Sequence, residues 1–141
     1  MSRSVSPSRR RAGRRALVLT VPVLVLPLAA ALPAAAKGGH PGVRAAGSCS
    51  GPSQWKLSAK ADDGRLEVEA EVDTPANGRA WTWQLTDKGA KVASGKAVTH
   101  APSGSFSIER HIANRAGTDV ITFKARAVRT GETCHGTVRI G

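Results

Sequence analysis

From Gln54 onward the apolar residues of this chain recur at every second position, and no window of helical length carries them at three- and four-residue spacing. Period two puts alternate side chains on opposite faces of a strand, so the pattern predicts β-structure. The first hairpin is explicit. Trp55, Leu57, Ala59 and Ala61 alternate with Lys56, Ser58 and Lys60, and beyond Asp62-Asp63-Gly64 the residues Leu66, Val68, Ala70 and Val72 alternate with Arg65, Glu67, Glu69 and Glu71. Asp63-Gly64 suits the two central positions of a tight turn, where positive φ is needed. That turn sets Ala61 against Leu66, Ala59 against Val68, Leu57 against Ala70 and Trp55 against Val72 on one face. The other face receives Lys60–Glu67, Ser58–Glu69 and Lys56–Glu71. A one-residue slip would set charge against apolar side chains along the whole hairpin, so the register is well specified. The row Glu67, Glu69, Glu71 then reads as a solvated strand face with lysines opposite rather than a cation-binding ridge.

The middle is looser. Trp81, Trp83 and Leu85 alternate with Thr82, Gln84 and Thr86; Asp87-Lys88-Gly89 turns the chain into a weakly apolar return around Val92. Phe106, Ile108 and Ile112 share one parity, which Arg110 interrupts with a stem that can pack and a head that reaches water. Asn114 to Gly117 reads as a corner. In the last hairpin Ile121, Phe123, Ala125 and Ala127 lie on one face, followed after Thr130-Gly131 by Cys134, Gly136, Val138 and Ile140. A four-residue loop is favoured over a tight primed turn, because Thr130 suits positive φ poorly. The expected pairs are Ala127–Cys134, Ala125–Gly136, Phe123–Val138 and Ile121–Ile140. Seven strands result, at 54–61, 65–72, 79–86, 90–98, 105–112, 119–129 and 133–140. Short, evenly spaced strands with turn signals between them predict an all-β, seven-stranded antiparallel sandwich over 54–141.

The N-terminal part is different in kind. Arg3, Arg9, Arg10, Arg11, Arg14 and Arg15 precede an apolar run from Ala16 to Leu32, and Ala34-Ala35-Ala36 supplies small residues at a cleavage site. This is the layout of a secretory signal peptide over 1–36, and Pro22, Pro27 and Pro33 argue against a membrane anchor. Arg14-Arg15 also leaves a twin-arginine route open. Residues 37–53, rich in Gly, Ala and Ser, read as a flexible lead-in. Removing the signal takes six of the 21 Lys and Arg and leaves 15 against 10 Asp and Glu, a net charge of about +5 rather than +11. That is no nucleic-acid signature, since no basic helix or aromatic-interleaved basic stripe occurs. Both cysteines, Cys49 and Cys134, lie in the exported part, where a disulfide between them is the default. It would close a loop of about 85 residues, worth roughly 4–5 kcal/mol in the chain-entropy description. A lipidated Cys49 is the rival reading; the polar segment from Lys37 to Arg44 separates it from the apolar run and speaks against it.

The strand around Trp81-x-Trp83 resembles the third strand of immunoglobulin-like domains, which supplies a buried Trp. Gly117-Thr118-Asp119-Val120-Ile121-Thr122-Phe123 is similar to the start of their sixth strand, with Ile121 in place of the usual Tyr and Phe123 in place of the usual Cys. The stretch from Phe106 to Thr137 also resembles small secreted actinobacterial proteins without an assigned activity. The resemblance implies an immunoglobulin-like fold and carries no catalytic residue. It also implies that the starts of the first and last strands are neighbours, which suits a Cys49–Cys134 bridge.

Catalytic and cofactor chemistry leaves no trace in the pattern. His40, His100, His111 and His135 do not converge, and His111 and His135 point away from the expected core. Asp62-Asp63-Gly64 has the composition of a calcium loop without its remaining ligands. There is no Gly-x-Ser-x-Gly elbow, phosphate-cradling glycine loop or spare cysteine. Trp55, Trp81, Trp83, Phe106 and Phe123 all sit at core parity. The expectation is a secreted, non-catalytic module without cofactor or metal, whose partner is an extracellular protein or cell-wall ligand. It would bind at its loops or an exposed strand edge, with no nucleic acid and no lasting membrane anchor. The alternative is an inhibitor of an extracellular hydrolase that presents Ala76-Asn77-Gly78-Arg79 or His100-Ala101-Pro102-Ser103.

Cleavage after Ala36 predicts an exported chain that begins at Lys37, measurable by intact-mass spectrometry of culture supernatant. A cell-associated, lipid-modified chain beginning at Cys49 would overturn both the cleavage site and the disulfide.

Overall fold

A computed structural model describes residues 41–141. The expected signal peptide and the first residues of the lead-in lie outside them. The described chain is all-β, with β1 (Val43–Ser48), β2 (Gln54–Asp62), β3 (Arg65–Asp73), β4 (Ala80–Asp87), β5 (Ala90–Val98), β6 (Ser105–Ala113), β7 (Asp119–Ala127) and β8 (Thr133–Ile140). Two antiparallel sheets of four strands face each other, in the orders β1-β2-β3-β6 and β5-β4-β7-β8. Among the described residues, no helix is long and apolar enough to cross a membrane.

The first hairpin has the expected register. Lys60 faces Glu67, Lys56 faces Glu71, and Asp63 and Gly64 both take positive φ, at 44° and 77°. Lys60 Nζ lies 3.0 Å from Glu67, and Lys56 Nζ lies 3.0 Å from Asp73 and 3.5 Å from Glu71. The hydrogen bond that Lys56 donates to Asp73, with the charge of Glu71 adding to it, raises the Lys56 pKa above its ordinary value, and Glu67 does the same for Lys60. The alternate face of each strand fills the interlayer core, where Trp81, Phe123, Leu85, Ile121, Val68 and Val72 are fully buried.

Two expectations need correction. First, there are eight strands, not seven, because residues 43–48 of the supposed lead-in form β1. Val43, Ala45 and Cys49 pack inward against the core while Arg44, Ala46 and Ser48 face out. The alternation is present in the sequence, but in residues too small to register as apolar. Second, the last hairpin pairs Ala125 with Cys134, Phe123 with Gly136 and Ile121 with Val138, two residues from the expected register. The face of every side chain is unchanged, because the shift is even. The cause is the turn: Gly131 takes φ 71° as the last loop residue, not a central one, and Ala127 N–H donates to Glu132 O at 2.8 Å. The four-residue loop is therefore Val128 to Gly131, and β7 ends at Ala127 rather than at 129.

Tryptophans explain the glycines inside strands. Gly47 lies directly across from Trp55, and Gly95 directly across from Trp83. A Cβ on Gly47 would stand 2.9 Å from the Trp55 indole, one on Gly95 2.8 Å from that of Trp83, and one on Gly136, in the opposite sheet, 2.3 Å from Trp55. An aromatic ring laid over a strand glycine covers backbone that would otherwise meet water. Trp55 does this in both layers at once. On the same side of the sandwich Cys49 and Cys134 are bonded, with Cα atoms 4.3 Å apart and Cys134 buried. On the other side the Arg110 guanidinium lies 4.9 Å above the Trp83 ring. Arg110 breaks the apolar parity of its strand because it closes this side by a cation–π contact.

Gly136→Ala should destabilise by about 1–3 kcal/mol through overpacking against the Trp55 indole. Urea unfolding in a Trp55→Leu background should return most of that cost. An equal cost in both backgrounds would show that the indole is not what Gly136 accommodates.

Candidate functional site

The strand directions bring four loops to one pole: residues 49–53, 74–79, 99–104 and 128–132. Both sequence-derived loop candidates, Ala76 to Arg79 and His100 to Ser103, are among them, and the fold sets them side by side. Two buried threonines lace them together. Thr99 Oγ1 donates to Ala76 O at 2.7 Å and accepts from Arg79 N–H at 3.0 Å. Thr99 N–H donates to Arg79 O at 3.0 Å, and Gly78 N–H to Thr99 O at 2.8 Å. Thr74 Oγ1 shares its proton between Ala76 O and Gly104 O, at 2.8 and 3.0 Å, and accepts from Ala76 N–H. The threonines are 4 % and 1 % exposed, so these bonds form away from competing water. The 74–79 and 99–104 loops are braced by these hydrogen bonds.

The 128–132 loop borders them. Val128 N–H donates to Ala80 O at 2.9 Å, which leaves the Val128 side chain 60 % exposed at the rim. Between this loop and residues 76–80 lies an opening of about 490 Å³, lined by Asn77, Arg79, Ala127, Arg129 and Thr130. The only carboxylate near it is Glu132, which is buried and accepts Ser53 N–H at 2.8 Å. Glu132 thus ties the β1–β2 loop to β8, beside the disulfide and the Ser50 N–H···O Thr133 bond of 2.8 Å. Arg79 and Arg129 take part in no ion pair among the described residues, so the opening is electropositive.

The other sequence candidates are dispersed. His111 is on the outward face of the first sheet and His135 on that of the second, as their parity implied. His111 meets Asp62 and Glu67, with ligand atoms within 4.8 Å of one another, a cluster that linear spacing conceals. Its strongest contact is already the Lys60–Glu67 ion pair, so the group reads as an exposed charge network. At the far pole two buried carboxylates close the core. Asp87 accepts Val120 N–H at 3.1 Å and faces Arg115 Nε at 3.6 Å; Asp119 accepts Arg115 N–H at 3.2 Å and faces Lys88 Nζ at 3.4 Å. Each is neutralised by a cation, which suits a structural lock.

Thr74, Thr99, Arg129 and Glu132 escaped the sequence reading. Thr99 follows a strand and Arg129 lay inside an expected one, so only tertiary placement marks them. No family model, curated protein or solved structure matches this chain.

Thr99→Val keeps the volume and removes the hydroxyl, leaving Arg79 N–H without its partner. It should cost about 1–3 kcal/mol and speed amide exchange at Gly78 and Arg79 more than in the strands. Unchanged exchange there would mean that Thr99 does not hold the loops.

Proposed function

We propose that this chain is a secreted, non-catalytic, immunoglobulin-like binding module whose extracellular protein or cell-wall ligand docks on the four-loop pole. Strand order supports the fold assignment. With β1 set aside, β2-β3-β6 reads as A-B-E and β5-β4-β7-β8 as C′-C-F-G, with Trp81 on strand C. In that lettering the loops at 74–79 and 128–132 are the B–C and F–G loops, two that carry recognition in variable domains, and the C′–E loop at 99–104 is hydrogen-bonded to the first of them. Export is supported by the arginine-rich, apolar N-terminal pattern and by a disulfide, which persists in oxidising compartments.

The observation that carries the reading is the hydrogen-bonded lacing of two loops beside an electropositive opening. Loops held in one conformation lose little entropy on binding. The same rigidity favours a second reading, inhibition of an extracellular hydrolase, in which Ala101-Pro102-Ser103 is the exposed tip.

The protein, immobilised and exposed to exported proteins and cell-envelope fractions, should retain a ligand. A doubly substituted Arg79→Ala, Arg129→Ala protein with an unchanged melting curve should bind it about tenfold or more weakly. Equal retention by both would remove the pole from consideration. Stoichiometric inhibition of trypsin or subtilisin would select the second reading.

A further inference from the structure

The ten carboxylates of the chain are sorted by place. Asp62, Asp63, Glu67, Glu69, Glu71, Asp73 and Glu109 belong to the first sheet and its hairpin turn; Asp87, Asp119 and Glu132 are buried at the poles. None reaches the outward face of the β5-β4-β7-β8 sheet. The register places Lys91, Lys96, Lys124, Arg126 and Arg139 there, all exposed, with His135 beside Lys124. Between them stand Thr82, Thr86, Thr122, Thr133 and Thr137. None of these five cations has an ion-pair partner among the described residues. On the first sheet Lys56 has two and Lys60 one. Like charges on neighbouring strand positions repel, and a single acidic residue at a threonine position would relieve that. The fold holds this face uniformly cationic.

We infer that this face is a docking surface for a linear phosphate polymer. By the register Lys124 and Arg126 stand about 7 Å apart along β7 and Lys96 about 10 Å from Arg126 across β4, with Lys91 and Arg139 farther along, a spread of charge too wide for one small anion. A shallow basin of about 470 Å³ runs over Thr82, Gln84, Lys124, Arg126, Thr133 and His135, so hydroxyl donors accompany the cations. All five described aromatic side chains are buried in the core, so none is available to stack on bases. The face is built of four strands, with no helix among the described residues to enter a groove. The polymer that fits carries phosphates and needs no bases. This surface is separate from the loop pole, so its failure leaves the proposed function standing.

The test is fluorescence anisotropy of end-labelled inorganic polyphosphate over a series of salt concentrations. The logarithm of the association constant should fall with the logarithm of salt at a slope of roughly −3 to −4, as for about five phosphate contacts on a single strand. Lys124→Glu should weaken binding about tenfold or more at low salt. Arg44→Glu changes net charge equally on the outward face of the first sheet, and should stay within about twofold of the parent. Melting curves of both variants establish that they are folded. Equal losses in the two variants, or a slope near zero, would overturn the inference. So would tighter binding to single-stranded or duplex DNA of matched charge, or binding confined to phosphatidylglycerol vesicles.

Discussion

An indole held between two glycines of different sheets sets the spacing on which the sandwich depends. Trp55 rises from β2, covers Gly47 on its own sheet and reaches Gly136 on the other. A side chain at either glycine would force the layers apart or turn the ring out of the core. Everything near this ring follows from it. The β1 strand, whose inward residues Val43, Ala45 and Gly47 have little to bury, gains a partner surface, and Cys49 arrives beside Cys134. The two sides of the sandwich are closed by different physics. One has an indole and a covalent bond. The other has Arg110 over Trp83, a contact of about 0.5–2 kcal/mol.

Charge is organised as strictly as packing. The first sheet balances its carboxylates with lysines across the strands, and the far pole pairs each buried aspartate with a cation. The remaining carboxylates, Asp63 and Glu69, stay on the first sheet and its turn, and Glu132 bonds to backbone. What remains, at the loop pole and over the second sheet, is an uncompensated positive field. The overall charge of the chain describes neither half.

Much of the fold was legible because period two leaves few choices. Asp63-Gly64 pinned one turn, and with it the seven expected pairs among the nine that form. The last hairpin gave its faces and lost its register, since Thr130-Gly131 is compatible with a glycine at the centre or at the end of a loop. β1 was missed because its inward residues after Val43 are only Ala45 and Gly47, and the face at Gly47 is filled by Trp55 from β2. The loop candidates could be named from their turn residues. Their lacing could not, because it depends on Thr74 and Thr99 meeting across a sequence gap that only the crossing of strands closes.

The crosslink also decides how the molecule bears load. Cys49 and Cys134 enclose the whole chain from the end of β1 to the start of β8 in one covalent ring. Tension applied at the two ends of the described chain would peel β1 and then β8, and would stop at the sulfurs. β2 to β7 and all four loops at the pole lie inside that ring and would carry no force. A protein anchored by one end and dragged by the other would therefore keep most of its core and its laced loops intact until the disulfide itself was reduced.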